Sequence, residues 1–319
     1  MSYPSDTTTL VADIGGTNTR VALTRGTDLL SETVSRYRNA EFDSLTQVLE
    51  QFIADQGGVD PTAACVAVAG PVHNGTAKMT NLDWAVDEAT LARATHAETV
   101  AILNDLQAQG HALGHLPDSA HVEIVKGAKS DSNQPQLVVG IGTGFNIAPV
   151  HNTPNGRIVT AAEAGHAGLP AVTSQDRALA DYVAQEHGFA SIEDVLSGRG
   201  LSHVYGFLTD GREMTGHEIM QACANNSDPA ARETVKLCAR KLGQVIGDLA
   251  LVQLPFGGIY LVGGVSCALG PYLTEFGMAD AMADKGRFSD FVAQFGVYVV
   301  QDDYAALIGS AHYLNAAGE

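Results

Sequence analysis

The chain has 319 residues, too many for one hydrophobic core and enough for two domains. Hydrophobic residues make up 45% and charged residues 17%, a globular balance that excludes a disordered chain. Lys and Arg number 18 against 36 Asp and Glu, so the net charge is −18; this surface repels phosphate backbones, no basic run offsets it, and nucleic-acid binding is excluded.

The opening MSYPSDTTTL has neither the basic start nor the apolar run of a signal peptide. Residues 8–37 read as three short strands, with turns at Gly15-Gly16 and near Gly26. Leu45, Val48, Leu49, Phe52 and Ile53 recur at helical spacing and predict an amphipathic helix over 43–55. ACVAVAG (64–70) and ETVAILND (98–105) are buried strands, the second running into a helix that reaches about His115.

QLVVGIGTGFNIAPV (136–150) repeats the opening pattern of strand, glycine turn and strand. A helical region follows over about 174–253, ending in one long amphipathic helix from Pro229. GIYLVGGV (258–265) predicts a strand ending in paired glycines, VYVVQDD (297–303) a last strand, and 304–315 the final helix. The apolar stretch 249–270 is interrupted by Gln253, Pro255 and glycines, so it reads as a helix end, a loop and a strand rather than a membrane span.

The repeated motif implies two related α/β halves, with ligands expected in the crevice between them. The expected domains are a small α/β domain, residues 1–112 plus 304–319, and a larger one, 113–303, with helical insertions. Cys65, Cys223, Cys238 and Cys267 form no C-x-x-C pair, which speaks against zinc and for a reducing, cytoplasmic setting.

Four places carry possible chemistry. Gly15-Gly16 and Gly142-Thr143-Gly144 are plain hairpin turns, which glycine favours because it tolerates positive φ, or paired anion nests whose amides hold phosphate without lysine. Neither matches a Walker or a Rossmann loop. Asp105, at a strand end and helix start, is an N-cap or a general base, and Asn104 beside it can bond a polyol hydroxyl. Glu163 and His166 lack the third ligand of a metal site and suit sugar hydroxyls. Glu193 is an acid in a helix first turn capped by Ser191, or a sugar ligand. His111 and His115, four apart, read as a solvated helix face rather than a metal pair.

VADIGGTNTR, MTNLDWAVD, ILNDLQA, VGIGTG, EAGH, EDVLSGRGL, LVGGV and DKGRF, in that order and spacing, resemble the bacterial glucokinase family of the actin–hexokinase superfold. The resemblance runs over essentially the whole chain. It implies an α/β, two-domain actin-like (ribonuclease H-like) ATPase fold with an inter-domain cleft, and ATP-dependent phosphorylation of glucose at its 6-hydroxyl.

By the same resemblance Asp105 is the catalytic base. Asn81, Asn104, Glu163, His166 and Glu193 bind sugar. Gly15, Gly16, Thr17, Asn18, Gly142, Thr143, Gly144, Gly263 and Gly264 bind nucleotide. Asp13 faces Mg²⁺ through water, and Mg²⁺ enters with ATP. The expected partners are glucose, ATP and a second copy of the chain, with neither nucleic acid nor membrane. A kinase of another hexose, or a non-catalytic sugar-sensing regulator, is the alternative. The chain departs from the family pattern in GTGFN, where Asn146 replaces a glycine, in EAGH for EGGH, and in DDYAAL near the C-terminus.

Overall fold

Alternation of buried side chains builds the first sheet. The computed structural model describes residue 4 and residues 6–79, 82–129 and 133–317. Strand β1 (Thr8–Ile14) turns back into β2 (Asn18–Arg25), and the short β3 (Asp28–Leu29) and β4 (Ser35–Arg38) both pair with β2. The expected third strand is therefore two, parted by a 3-10 turn at Ser31–Thr33 whose Thr33 hydroxyl accepts the Leu23 N–H. Helix α1 (Leu45–Asp55) leads to β5 (Ala63–Val68), which lies parallel to β1.

A small antiparallel sheet follows, made of β6 (Val72–His73), β7 (Thr76–Lys78) and β8 (Ala85–Asp87). Then come α2 (Glu88–Thr95), β9 (Thr99–Asn104), parallel to β5, and α3 (Asp105–Ala112). On β1, Leu10, Ala12 and Ile14 face a core shared with α1 and α2. Val11 points the other way, into a core built with Cys65, Ala67, Leu103 and Ala108. Each buried Leu, Ile or Val among them contributes about 1.5–3 kcal/mol of transfer free energy.

The second sheet starts at β10 (His121–Val125) and continues in β11 (Gln136–Ile141) and β12 (Phe145–Thr153). Strand β13 (Gly156–Val159) belongs with the first unit. Helices α4 (Ser174–His187), α5 (Gly198–Leu208), α6 (Gly216–Ala224) and α7 (Pro229–Gln253) precede β14 (Ile259–Val262). Helices α8 (Gly264–Leu273), α9 (Met278–Ala283) and α10 (Ser289–Val292) precede β15 (Val297–Val300). The chain ends in α11 (Ala305–Ala317), which packs in the first unit.

Contacts divide the chain into two units, Met1–Pro117 with Pro154–Val159 and Asp302–Glu319, and Asp118–Thr153 with Thr160–Gln301. The two sheets share one plan. In the first, β1 is antiparallel to β2 and parallel to β5, which is parallel to β9. In the second, β11 is antiparallel to β12 and parallel to β14, which is parallel to β15. Helix α3 stops at Ala112, short of His115, and Arg157 of β13 donates to the carbonyls of Gly110, His111 and Leu113 at that end. Among the described residues no helix is long and apolar enough to cross a membrane.

Candidate functional site

In the first unit Asp13 and Asp105 stand near neighbouring strand ends. Asp13 follows Val11 by two residues on β1 and so points to the side of α3, and Asp105 is the first residue of α3, just past the end of β9. The Asp13 Oδ2 accepts from the Arg20 guanidinium at 3.4 Å, and Arg20 also lies 3.9 Å from Asp303. Burial raises the Asp13 carboxyl above the usual carboxylate range and outweighs the lowering by Arg20. The Asp105 carboxyl is pushed up to about 7, first by burial and then by the charge of Asp13.

Asp105 is not the helix cap. Asn104 holds that place: its Oδ1 accepts the Leu106 N–H at 3.0 Å, while Gln107 reaches back to the Asn104 N–H at 3.1 Å. An amide one residue earlier satisfies the helix end, and the Asp105 carboxylate accepts the same Leu106 N–H, at 2.9 Å. Asn104 is fixed at its other end by donating from Nδ2 to the Gly70 carbonyl at 3.0 Å.

The Gly15-Gly16 turn closes a hairpin, but neither glycine has a positive φ. The expected steric reason for glycine is therefore absent at this turn. The Gly15 N–H donates to the Asn18 carbonyl at 3.0 Å, so it is engaged within the turn. Gly16 and Thr17 are exposed, and among the described residues their amides meet no protein acceptor. Asn39, which sequence reasoning missed, braces this loop. Its Nδ2 donates to the Gly15 carbonyl at 2.8 Å, its Oδ1 accepts from the Thr19 hydroxyl at 2.8 Å, and its N–H donates to the Thr17 carbonyl.

The second unit repeats this design at Gly142-Thr143-Gly144. The Gly142 N–H donates to the Gly144 carbonyl at 2.9 Å, and the Gly142 carbonyl accepts the N–H of Gly198, the first residue of α5, at 2.8 Å. The Glu193 Oε2 accepts the Phe145 N–H at 3.0 Å, and a Cβ on Gly144 would stand 2.5 Å from that oxygen. Glu193 lies in a turn before α5, not in a helix, because Asp194 takes up both the N–H and the hydroxyl of Ser191. Ser191 therefore closes a local turn and does not start a helix.

Glu163 heads a 3-10 turn over Ala164–His166, and the His166 Nε2 is 4.0 Å from the Glu163 carboxylate. Gly263 does not sit in a strand with Gly264. It has φ +94 and caps α8, which Gly264 begins, and a Cβ there would lie 2.6 Å from the Ile141 carbonyl. Close approach of α8 to β11 thus requires glycine. Asn81 lies outside the described residues. His111 is buried rather than solvated: it packs edge-on against Tyr313, and burial with the nearby Arg157 charge lowers it to about 4.

The first unit thus brings together Asp13, Gly15–Asn18, Asn104 and Asp105. The second gathers Gly142–Gly144, Glu163, His166 and Glu193 around one turn, with Gly263 and Gly264 at the start of α8. Each of the two like sheets thus carries a glycine-turn hairpin with carboxylates close by. The glucokinase family model matches residues 10–317. The chain belongs to the glucokinase family.

Its curated glucokinase relatives include that of Rhizobium johnstonii, 32% identical over 98% of this chain and 95% of the relative, and that of Cupriavidus metallidurans, 32% identical over 98% and 94%. Among solved structures, the glucokinase of an Antarctic psychrotroph superposes with a TM-score of 0.86 at 30% identity, covering 96% of this chain and 98% of that one. A Balamuthia mandrillaris glucokinase in complex with glucose shares the fold at a TM-score of 0.81 and 19% identity, over 97% and 93%. The fold is accordingly the two-domain actin-like sugar-kinase fold expected of the glucokinase family.

Proposed function

We propose that this glucokinase-family chain moves the γ-phosphoryl group of ATP to the 6-hydroxyl of D-glucose, with Asp105 as general base. The observation that carries the assignment is the carboxyl of Asp105: half-buried, close enough to Asp13 to feel its charge, and raised to about 7. A base of that pKa is substantially ionised at neutral pH and strong enough to take the proton of an attacking hydroxyl. Asn104, locked by Leu106, Gly70 and Gln107, presents an ordered amide beside it.

Glu163, His166 and Glu193 take the remaining sugar hydroxyls in this reading. A carboxylate only accepts, so each demands a donating hydroxyl, and a sugar lacking one there leaves a polar group unpaired. Asn81 is assigned to the same sugar from the sequence alone. The amides of Gly16, Thr17, Thr143 and Gly144 serve the phosphates in place of lysine, which suits an acidic chain. Asn18, Gly15 and Gly142 shape those loops, and Gly263 and Gly264 open the start of α8 to the nucleoside.

The oxygen donor set of Asp13 fits Mg²⁺, which takes one or two carboxylates with water and phosphate. Asp13 is a part-buried carboxylate whose charge reaches a second one, Asp105, and a hard cation would relieve that repulsion. When bound, Mg²⁺ supplies charge neutralisation of the triphosphate. Four free cysteines support a cytoplasmic setting. The homodimer finds support in Phe256 and Phe288, both exposed and flanking Phe291, which give a second copy an apolar surface to cover.

A panel of hexoses in an ATP-coupled assay tests the substrate. We expect kcat/KM for glucose at least about tenfold above mannose and fructose. Preference for either of those would assign a different hexose to the site.

A further inference from the structure

We infer that Asn146 is a positioning residue that sets the sugar-binding carboxylate of Glu163, a role that rests on the assignment of Glu163 to the sugar. Asn146 is the second residue of β12, at the position where the sequence departs from the family's glycine. Its Oδ1 accepts two backbone N–H groups, that of Ile147 at 2.8 Å and that of Ala164 at 3.0 Å. Its Nδ2 donates to the Glu163 Oε2 at 3.2 Å.

The orientation of this amide is fixed by its partners. Backbone N–H groups only donate, so the oxygen must face Ile147 and Ala164, and the NH₂ is left facing an acceptor-only carboxylate. Ala164 opens the 3-10 turn, and Glu163 at its N-cap makes no side-chain cap bond. Its first amide would be an orphan donor. Asn146 supplies that cap from the neighbouring strand and orients Glu163 with the same side chain.

The bond matters because Glu163 is otherwise loosely held: its side chain is 61% exposed and the His166 ring is 4.0 Å away. A long exposed carboxylate loses rotamer entropy on meeting a sugar, and one charge-assisted hydrogen bond made in advance lowers that loss. The family's glycine at this position has no side chain to do so. Asn146 thus ties the phosphate loop Gly142–Gly144 to the sugar segment 163–166 through one residue.

Asn146→Asp separates the two roles. It keeps an oxygen for Ile147 and Ala164 but replaces the donor facing Glu163 with a second carboxylate oxygen. We expect KM for glucose to rise about ten- to hundredfold, with kcat and KM for MgATP each within about threefold. Glu163→Gln alone should also raise KM for glucose. The double variant Asn146→Asp/Glu163→Gln restores a donor–acceptor pair with reversed polarity, so its KM should be no higher than that of Glu163→Gln. If Glu163→Gln raises KM but Asn146→Asp does not, or if the two effects multiply in the double variant, Asn146 does not act through Glu163. A rise in KM for MgATP as large as that for glucose would make Asn146 a phosphate-loop brace instead and overturn the inference. A normal KM in Glu163→Gln would remove Glu163 from the sugar, and the inference with it.

Discussion

Asp13 on β1 and Asp105, the first residue of α3 just past β9, lie close enough that the charge of Asp13 is the second cause, after burial, that raises Asp105 to about 7. Two like side chains are thereby given different surroundings. Asp13 keeps an arginine partner at 3.4 Å, whereas Asp105 accepts the Leu106 N–H and faces a like charge. This is the usual way in which one carboxylate is made a base near neutral pH.

A base must be deprotonated to work, so kcat/KM for glucose should climb with pH through about 7. Asp13→Asn removes the like charge and should move that limb to lower pH by roughly half to one unit. Its turnover with MgATP should also fall. A limb that stays in place while Asp13 is neutral would show that the two carboxylates are not coupled.

Acid should weaken the first unit through its histidines. His312 stacks on His115 with ring centroids 3.5 Å apart, and burial together with the His115 and Arg157 charges lowers His312 to about 4. The ordinary value in the unfolded chain is near 6.5, so the neutral rings stabilise the fold fully above that pH, and this stability drains away as pH falls towards 4. His312→Gln should lose a few degrees less in Tm than the parent between pH 7 and pH 5. An equal loss in both proteins, read by scanning calorimetry, would assign the acid sensitivity elsewhere.

Gly144 is glycine for the sake of Glu193. Its missing Cβ leaves room for the Glu193 Oε2, which is the movable end of a side chain rather than backbone. Gly144→Ala should therefore displace Glu193, raising KM for glucose about tenfold while the fold survives. The expected Tm change is within a few degrees. A large loss of stability with normal KM would make the residue structural only.

Much of this was legible in the sequence, and the reason is locality. The two hairpins, the long helix from Pro229 and the strand leading into Asp105 are each written in contiguous patterns of apolar residues and glycines. Helix starts were harder. Asn104 and Asp105 are both good caps, and only the bonds to Leu106 and Gln107 show which one serves. Gly263 directly follows the last residue of β14 and caps α8, so paired glycines could not mark where one element stops.

The bracing bonds were illegible because they join distant residues. Asn39 meets Gly15 across 24 positions, Glu193 meets Phe145 across 48, and Asn146 meets Glu163 across 17. No local pattern encodes such pairs; the sheet order does. At Gly15 and Gly16 the sequence invited a positive φ that the turn does not use. The physical role left is openness at Gly16 and Thr17, whose exposed amides are what the proposed phosphate loop needs.

The most direct test of the whole account is kcat of Asp105→Asn, measured as glucose 6-phosphate formed from glucose and ATP. Asparagine keeps the size of the side chain and its bond to Leu106 but cannot take a proton. The result expected of a general base at this position is a loss of ~10²–10⁴ in kcat with glucose binding retained. Turnover like that of the parent would contradict it.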